Sequence, residues 1–285
     1  MVRPNDSSNL YHTHVTEPCL QLPFFLLLAI PAALALPTAL PQDGPTKTLN
    51  TRAYFANPVI SNPSALAWYQ AYQTSSAGAG AGGSRAFYEN TTTNGGGTTH
   101  SSYQCFAGSS YPALSSWLSF DTLWSSAAST ITAVNGAPGL TPTIRSAILT
   151  VAAADNIDAR LVLAVIMQES TGRLAVPCTG VSNCGIMQAA PGSVGFDASN
   201  PSASIEQMIR DGVEGRAGTW PSGGPGLAYW LGQYGDPWRA LRAYNTGSVP
   251  DESNLDATGG AGTVTYVADV ANRLLGWDGN ARAQC

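Results

Sequence analysis

The segment from Asp158 to Ser170 limits what this chain can fold into more than any other. Leu161, Val162, Val165 and Ile166 recur there at helical spacing and leave almost no polar side. Asp158 stands just ahead as a capping residue. A helix that is apolar nearly all round cannot lie on a surface, so other elements must enclose it. Glu169 falls four residues after Val165 and eight after Leu161, on the same face as those apolar side chains. A carboxylate in that setting is badly solvated, and desolvation raises a carboxyl pKa toward neutrality. Such a group can donate a proton to a leaving-group oxygen. The competing reading is an ordinary exposed glutamate near a helix C-terminus.

The rest of the second half is also helical in pattern. Trp117, Phe120, Leu123 and Trp124 follow helical spacing, which fits a core-facing helix better than an aromatic ligand cradle. Thr141 and Pro142 read as a helix start ahead of Ile144, Ala147, Ile148 and Val151. Further helical patterns occupy about 201–217, 223–234, 236–245 and 262–276, and strand signals are sparse. The chain over 103–285 therefore reads as one all-α, or mostly α, domain. Residues 36–102 read as a low-complexity, largely disordered or linker segment. Its 74–102 portion, rich in Ser, Gly, Ala, Thr and Asn, cannot bury enough apolar surface to offset chain entropy. Within this segment, Trp68, Tyr69 and Tyr72 could pack on the main domain or touch carbohydrate.

Charged residues make up 11% of the chain, the formal net charge is −5, and Lys47 is the one lysine. With no basic run to neutralise phosphates, nucleic-acid binding is not expected. The most apolar stretch, Leu22–Leu40, contains Ala33-Leu34-Ala35, a signal-peptide core followed by a cleavage pattern. Residues 1–35 are thus expected to be a signal peptide, and the mature protein to be secreted, extracellular and without stable membrane association. The alternative is a membrane anchor, which Pro23, Pro31 and Pro37 weaken as a helix.

Cleavage after Ala35 removes Cys19 and leaves Cys105, Cys178, Cys184 and Cys285. Four cysteines in a secreted chain read as two disulfides with three possible connectivities. The short loop containing Gly180 and Asn183 favours Cys178–Cys184, which leaves Cys105–Cys285 by elimination. No CxxC pair or histidine cluster offers metal ligands, and no cofactor is expected. Of the three histidines, His12 and His14 precede the cleavage point and His100 lies in a Thr/Ser/Gly stretch, so a histidine-based triad has almost no material. Asn90-Thr91-Thr92 is an N-glycosylation sequon.

An ordered series surrounds the candidate acid. Gln168-Glu169-Ser170 is followed by Gly185-Ile186-Met187-Gln188, then Ala243-Tyr244-Asn245, then Tyr266-Val267. Across about 157–276 this resembles the soluble lytic transglycosylase family, which is related to goose-type lysozymes. The resemblance implies a lysozyme-like fold with a substrate cleft for peptidoglycan glycan strands. It implies that Glu169 is general acid and then base, and that Ser170, Gly185, Ile186, Met187, Gln188, Tyr244 and Asn245 form the substrate site. Tyr266 would lie close to Glu169 and orient it. Gln188 and Asn245 could instead be turn or cap residues, and Tyr244 and Tyr266 core aromatics with satisfied hydroxyls.

Goose-type lysozymes carry aspartates between the Glu and the Gly-Leu-Met-Gln segment and just after it. Here Thr171 to Cys184 contains no acid, and the next acid after Gln188 is Asp197. That departure matches single-Glu lytic transglycosylases, in which the substrate's own 6-hydroxyl closes a 1,6-anhydro ring. Asp197, Glu206 or Asp211 could still fold into the cleft and support hydrolysis. The sequence therefore points to a monomeric peptidoglycan-cleaving enzyme. The alternatives are a hydrolytic muramidase, or a non-catalytic cell-wall binder that has kept the fold.

Overall fold

The computed structural model describes residues 95–155, 157–216 and 221–285. The apolar stretch Leu22–Leu40, most of the low-complexity segment and the Asn90 sequon lie outside the described residues. What is described is mostly helical, with one two-stranded ladder.

Helix α1 (Phe120–Asn135) opens at Ser119, whose hydroxyl accepts from the Thr122 amide, and closes at Gly136 in the left-handed region. It buries Phe120, Leu123, Ala127 and Ile131. Trp117 precedes the helix and is fully buried, with the Arg160 guanidinium 5.1 Å from its ring. The aromatic stripe is therefore core. Helix α2 (Leu140–Asp155) begins ahead of the expected Thr141–Pro142 start. Thr141 does not cap it: its hydroxyl bonds Thr132 of α1 at 2.8 Å. Pro142 sits in the first turn, where its missing N–H costs nothing.

Helix α3 (Ala159–Glu169) is the enclosed helix, with every residue from Ala159 to Met167 buried. Asp158 caps it through the Arg160 amide and also holds the Arg160 side chain, both residues being 1% exposed. Each fully buried Leu, Val or Ile here contributes roughly 1.5–3 kcal/mol relative to exposure. Helices α1, α2 and α7 (Tyr266–Leu274) pack around α3.

The remaining helices form a second layer of contacts. Helix α4 (Pro201–Glu214) lies on α2 and on α5 (Leu227–Tyr234), and α6 (Pro237–Thr246) joins α5 to α7. Between α4 and α5, β1 (Gly215–Arg216) pairs antiparallel with β2 (Gly224–Pro225), Gly215 opposite Pro225. This ladder occupies positions where the sequence pattern extends the helices on either side. The pattern at 262–276 likewise starts too early, because 262–265 is a turn ahead of α7.

The ends of the domain are tied together. Cys105 bonds Cys285 and Cys178 bonds Cys184, the pairing expected from the loop lengths. Residues 95–102, grouped with the linker by composition, run against the domain: the His100 amide donates to Leu275 O at 2.8 Å. At Gly96 a Cβ would overlap Ser115 O, so this close approach needs glycine.

Candidate active site

Glu169 is the last residue of α3 and Tyr266 the first of α7. Packing of these two helices brings the Tyr266 hydroxyl to Glu169 Oε1, to which it donates at 2.6 Å. Glu169 is half-buried, whereas Tyr266 is 2% exposed. Burial pushes the Glu169 carboxyl up to about 7, and the hydrogen bond from Tyr266 pulls weakly the other way. None of the other described carboxylates contributes to that shift. The Tyr266 and Tyr244 hydroxyls are both held well above their ordinary range, first by burial and then by the charge of Glu169. Both therefore remain donors at any physiological pH.

The Gly185–Gln188 segment is clamped from two sides. Ser170, which ends α3, donates to Ile186 O at 2.8 Å, and Tyr244 of α6 donates to Met187 O at 2.9 Å. Ile186 and Met187 are fully buried. Met187 lies against Gly212 of α4, where a Cβ would come within 2.5 Å of its sulfur. Gly185 has φ 78°, and a Cβ there would sit 2.7 Å from Val194 O. The segment thus accepts glycine alone at its first position.

Gln188 serves this loop internally. Its oxygen accepts from the Thr179 hydroxyl at 2.8 Å, and its nitrogen donates to Gly185 O at 3.0 Å and Pro177 O at 3.3 Å. It thereby couples the Cys178–Cys184 loop to the turn. Asn245 Oδ1 accepts from the Thr263 amide at 2.8 Å and from Arg242 at 3.1 Å. Its carbonyl is engaged with the turn that leads into α7.

The structure adds residues that the motifs did not single out. Arg242 is fully buried and donates to the backbone oxygens of Leu255, Thr263 and Val264. It fixes the two residues just ahead of Thr265 and Tyr266. Asp269, also fully buried, accepts from Tyr103, Gln168, Thr265 and Arg282. Gln168 also accepts from Arg273, so the residue next to Glu169 is held from two positions of α7. A signal for Arg242 was present: it stands four residues after Trp238 and one after Leu241, on the apolar stripe of α6.

The three acids considered for water activation are engaged elsewhere. Asp197 is exposed and accepts from the Ser199 amide and hydroxyl, which hold its pKa low. Glu206 pairs with Arg210 at 2.8 Å. Asp211 is buried and binds Arg216, Gln207 and the Val194 amide.

Residues 146–266 match the family described as the transglycosylase SLT domain. The match begins within α2 and ends on Tyr266, so it contains Glu169, the Gly185–Gln188 turn and Tyr244. Neither a curated protein nor a solved structure gives a significant match to the chain. Residues 146–266 thus carry a transglycosylase SLT domain, the domain found in the peptidoglycan-cleaving lytic transglycosylases.

Proposed function

We propose that the protein is a secreted lytic transglycosylase in which Glu169 alone carries the acid–base chemistry. The observation that supports this is the Glu169 carboxyl, raised to about 7 by burial, hydrogen-bonded to Tyr266 and outside the influence of a second described carboxylate. A carboxyl with that pKa is still substantially protonated near neutral pH, as a general acid must be. Secretion rests on the apolar stretch and Ala33-Leu34-Ala35 pattern of the sequence.

Glu169 gives its proton to the glycosidic oxygen as the bond from C1 of N-acetylmuramic acid breaks. The oxygen of the 2-acetamido group stabilises the cationic carbon. Ionised Glu169 then takes the proton of the sugar's 6-hydroxyl while O6 bonds C1. The 1,6-anhydro ring closes, the acid is regenerated, and no water is consumed. The intramolecular hydroxyl competes well with water, because oriented groups reach effective molarities of about 10⁵ M or more.

Mass spectrometry of fragments released from purified peptidoglycan tests the reading. Anhydro ends lack one water relative to reducing ends. Products that are mainly reducing, with oxygen taken from labelled water, would make the enzyme a hydrolase.

A further inference from the structure

The turn that ends the Glu169 helix also presents a cation with no partner. After Ser170 the chain reverses through two consecutive left-handed residues, Thr171 at φ 57° and Gly172 at φ 78°. Gly172 lies against Ile131, where a Cβ would come within 2.5 Å of the side chain, so only glycine fits. The Arg173 amide donates to Ser170 O, and Asn135 grips both flanks of Arg173, donating to Gly172 O and accepting from the Leu174 amide, each at 2.8 Å. The backbone of Arg173 is therefore fixed while its side chain is exposed.

Among the described residues Arg173 is the one arginine whose guanidinium has no partner. The others are held by carboxylates, by Gln168 in the case of Arg273, or by backbone carbonyls in the case of Arg242. Arg173 also borders a cavity of about 130 Å³. Val134, Leu140, Leu174 and Phe196 supply its apolar wall, and Asn135 its polar side. That volume has room for a small apolar group. A guanidinium carried beside it on a fixed backbone can take a carboxylate in two-pronged geometry. On a chain of net charge −5, a free cation here is the feature that would draw an anion in.

We propose that Arg173 and this cavity form a subsite for a short peptide that combines a small apolar side chain with a free carboxylate. On peptidoglycan that is the peptide stem of the glycan strand. Arg173 follows Glu169 by four residues, which keeps the two backbones within about 14 Å, a span that a peptide attached to the sugar being cleaved can cover. This assignment rests on the reading of Glu169 as the catalytic acid. It makes the enzyme selective for strands that still carry their stems.

The experiment compares peptide-bearing strands with the same strands stripped by an amidase, using the full chain. For wild type, Arg173→Lys, Arg173→Ala and Glu169→Gln, kcat/KM is measured on both. The ratio of peptide-bearing to stripped turnover is expected to fall roughly 3- to 10-fold in Arg173→Ala, the range of an exposed charge-assisted contact. Arg173→Lys should recover part of that ratio. The released stem peptide should inhibit wild type more strongly than Arg173→Ala, and its C-terminally amidated form should inhibit wild type less while inhibiting Arg173→Ala about as well as the free peptide does. An unchanged ratio, or equal inhibition of wild type and Arg173→Ala, overturns the subsite. Glu169→Gln should be inactive on both substrates; activity in that variant would instead overturn the catalytic reading and leave the Arg173 ratio interpretable.

Discussion

The Tyr266 hydroxyl donates to Glu169 Oε1 at 2.6 Å, and the two residues stand at the end of one helix and the start of another. The pair therefore exists only because α3 and α7 pack together. The bond favours the ionised carboxyl and opposes the larger effect of burial. In Tyr266→Phe the pKa of Glu169 should rise above about 7. A general acid is lost as pH climbs through its pKa, so the basic limb of the kcat/KM profile should move to higher pH. The rate at the optimum should fall roughly 10-fold or more, as expected for losing a hydrogen bond to a charged group. An unmoved basic limb would show that the hydroxyl does not stabilise the carboxylate.

Glu169→Gln should abolish turnover and make the protein more stable at alkaline pH. Folding raises the Glu169 pKa from 4.5 to about 7. Between those values the folded state binds more protons than the unfolded state, so wild-type stability falls as pH rises. The amide side chain of the variant has no such linkage, and its oxygen can still accept from Tyr266. Because Glu169 is only half-buried, solvent reduces the effect to about 1 kcal/mol. Melting curves of the two proteins should coincide near pH 4 and separate by roughly 2–4 °C near pH 8. A variant less stable than wild type at pH 8 would mean that the carboxylate is better solvated than its burial implies.

Much of this site could be read from the sequence, and the unread part has a common physical cause. Asp158, the apolar run and Glu169 specify α3 through local rules of capping and periodicity. The same rules misplace the start of α2, because the Thr141 hydroxyl finds Thr132 on another helix instead of its own backbone. They also lengthen α4, α5 and α7, whose neighbouring residues are claimed by strand pairing or by Arg242. Motif resemblance marks Gln188 and Asn245 as substrate-site residues without revealing that they engage loop backbone. Periodicity puts Arg242 on the apolar stripe of α6, but local rules do not name the partners of Arg242 or of Asp269. Their partners are up to 22 and 166 residues away, and side-chain periodicity carries no information at that range.

Arg242 makes a separable prediction. Its guanidinium satisfies the carbonyls of Leu255, Thr263 and Val264 and reaches Asn245 Oδ1. In Arg242→Met those buried acceptors lose their donor, at about 1–3 kcal/mol each where water cannot replace it. The turn ahead of Tyr266 should loosen, so kcat should fall with little change in KM. The basic limb should move upward, as in Tyr266→Phe. A general loss of folding would lower stability without moving that limb. Arg242→Lys should recover stability in part, since an ammonium reaches fewer of the carbonyls. A stable Arg242→Met protein with wild-type kcat and pH profile would remove Arg242 from the positioning of Tyr266.

The two disulfides should separate stability from activity. Cys105–Cys285 spans 180 residues, and closing so long a loop contributes about 5 kcal/mol in a chain-entropy treatment. The same ends are also held by Tyr103 and Arg282 on Asp269 and by Asn272 on Gln104. Replacing both cysteines by serine should therefore lower stability by several kcal/mol. Activity at low temperature should persist, because those contacts still seat α7. Cys178–Cys184 spans 6 residues, and its entropic contribution is only about 2 kcal/mol. Its loop, however, carries Thr179, which holds Gln188 and through it the Gly185–Gln188 turn. Cys178→Ser with Cys184→Ser should cost less in denaturant midpoint and more in turnover than the long-range pair. Denaturation curves and kcat/KM for the two double variants decide the matter. If the short-loop variant loses only stability, the turn is held by Ser170 and Tyr244 alone, and the disulfide loop has no part in shaping the site.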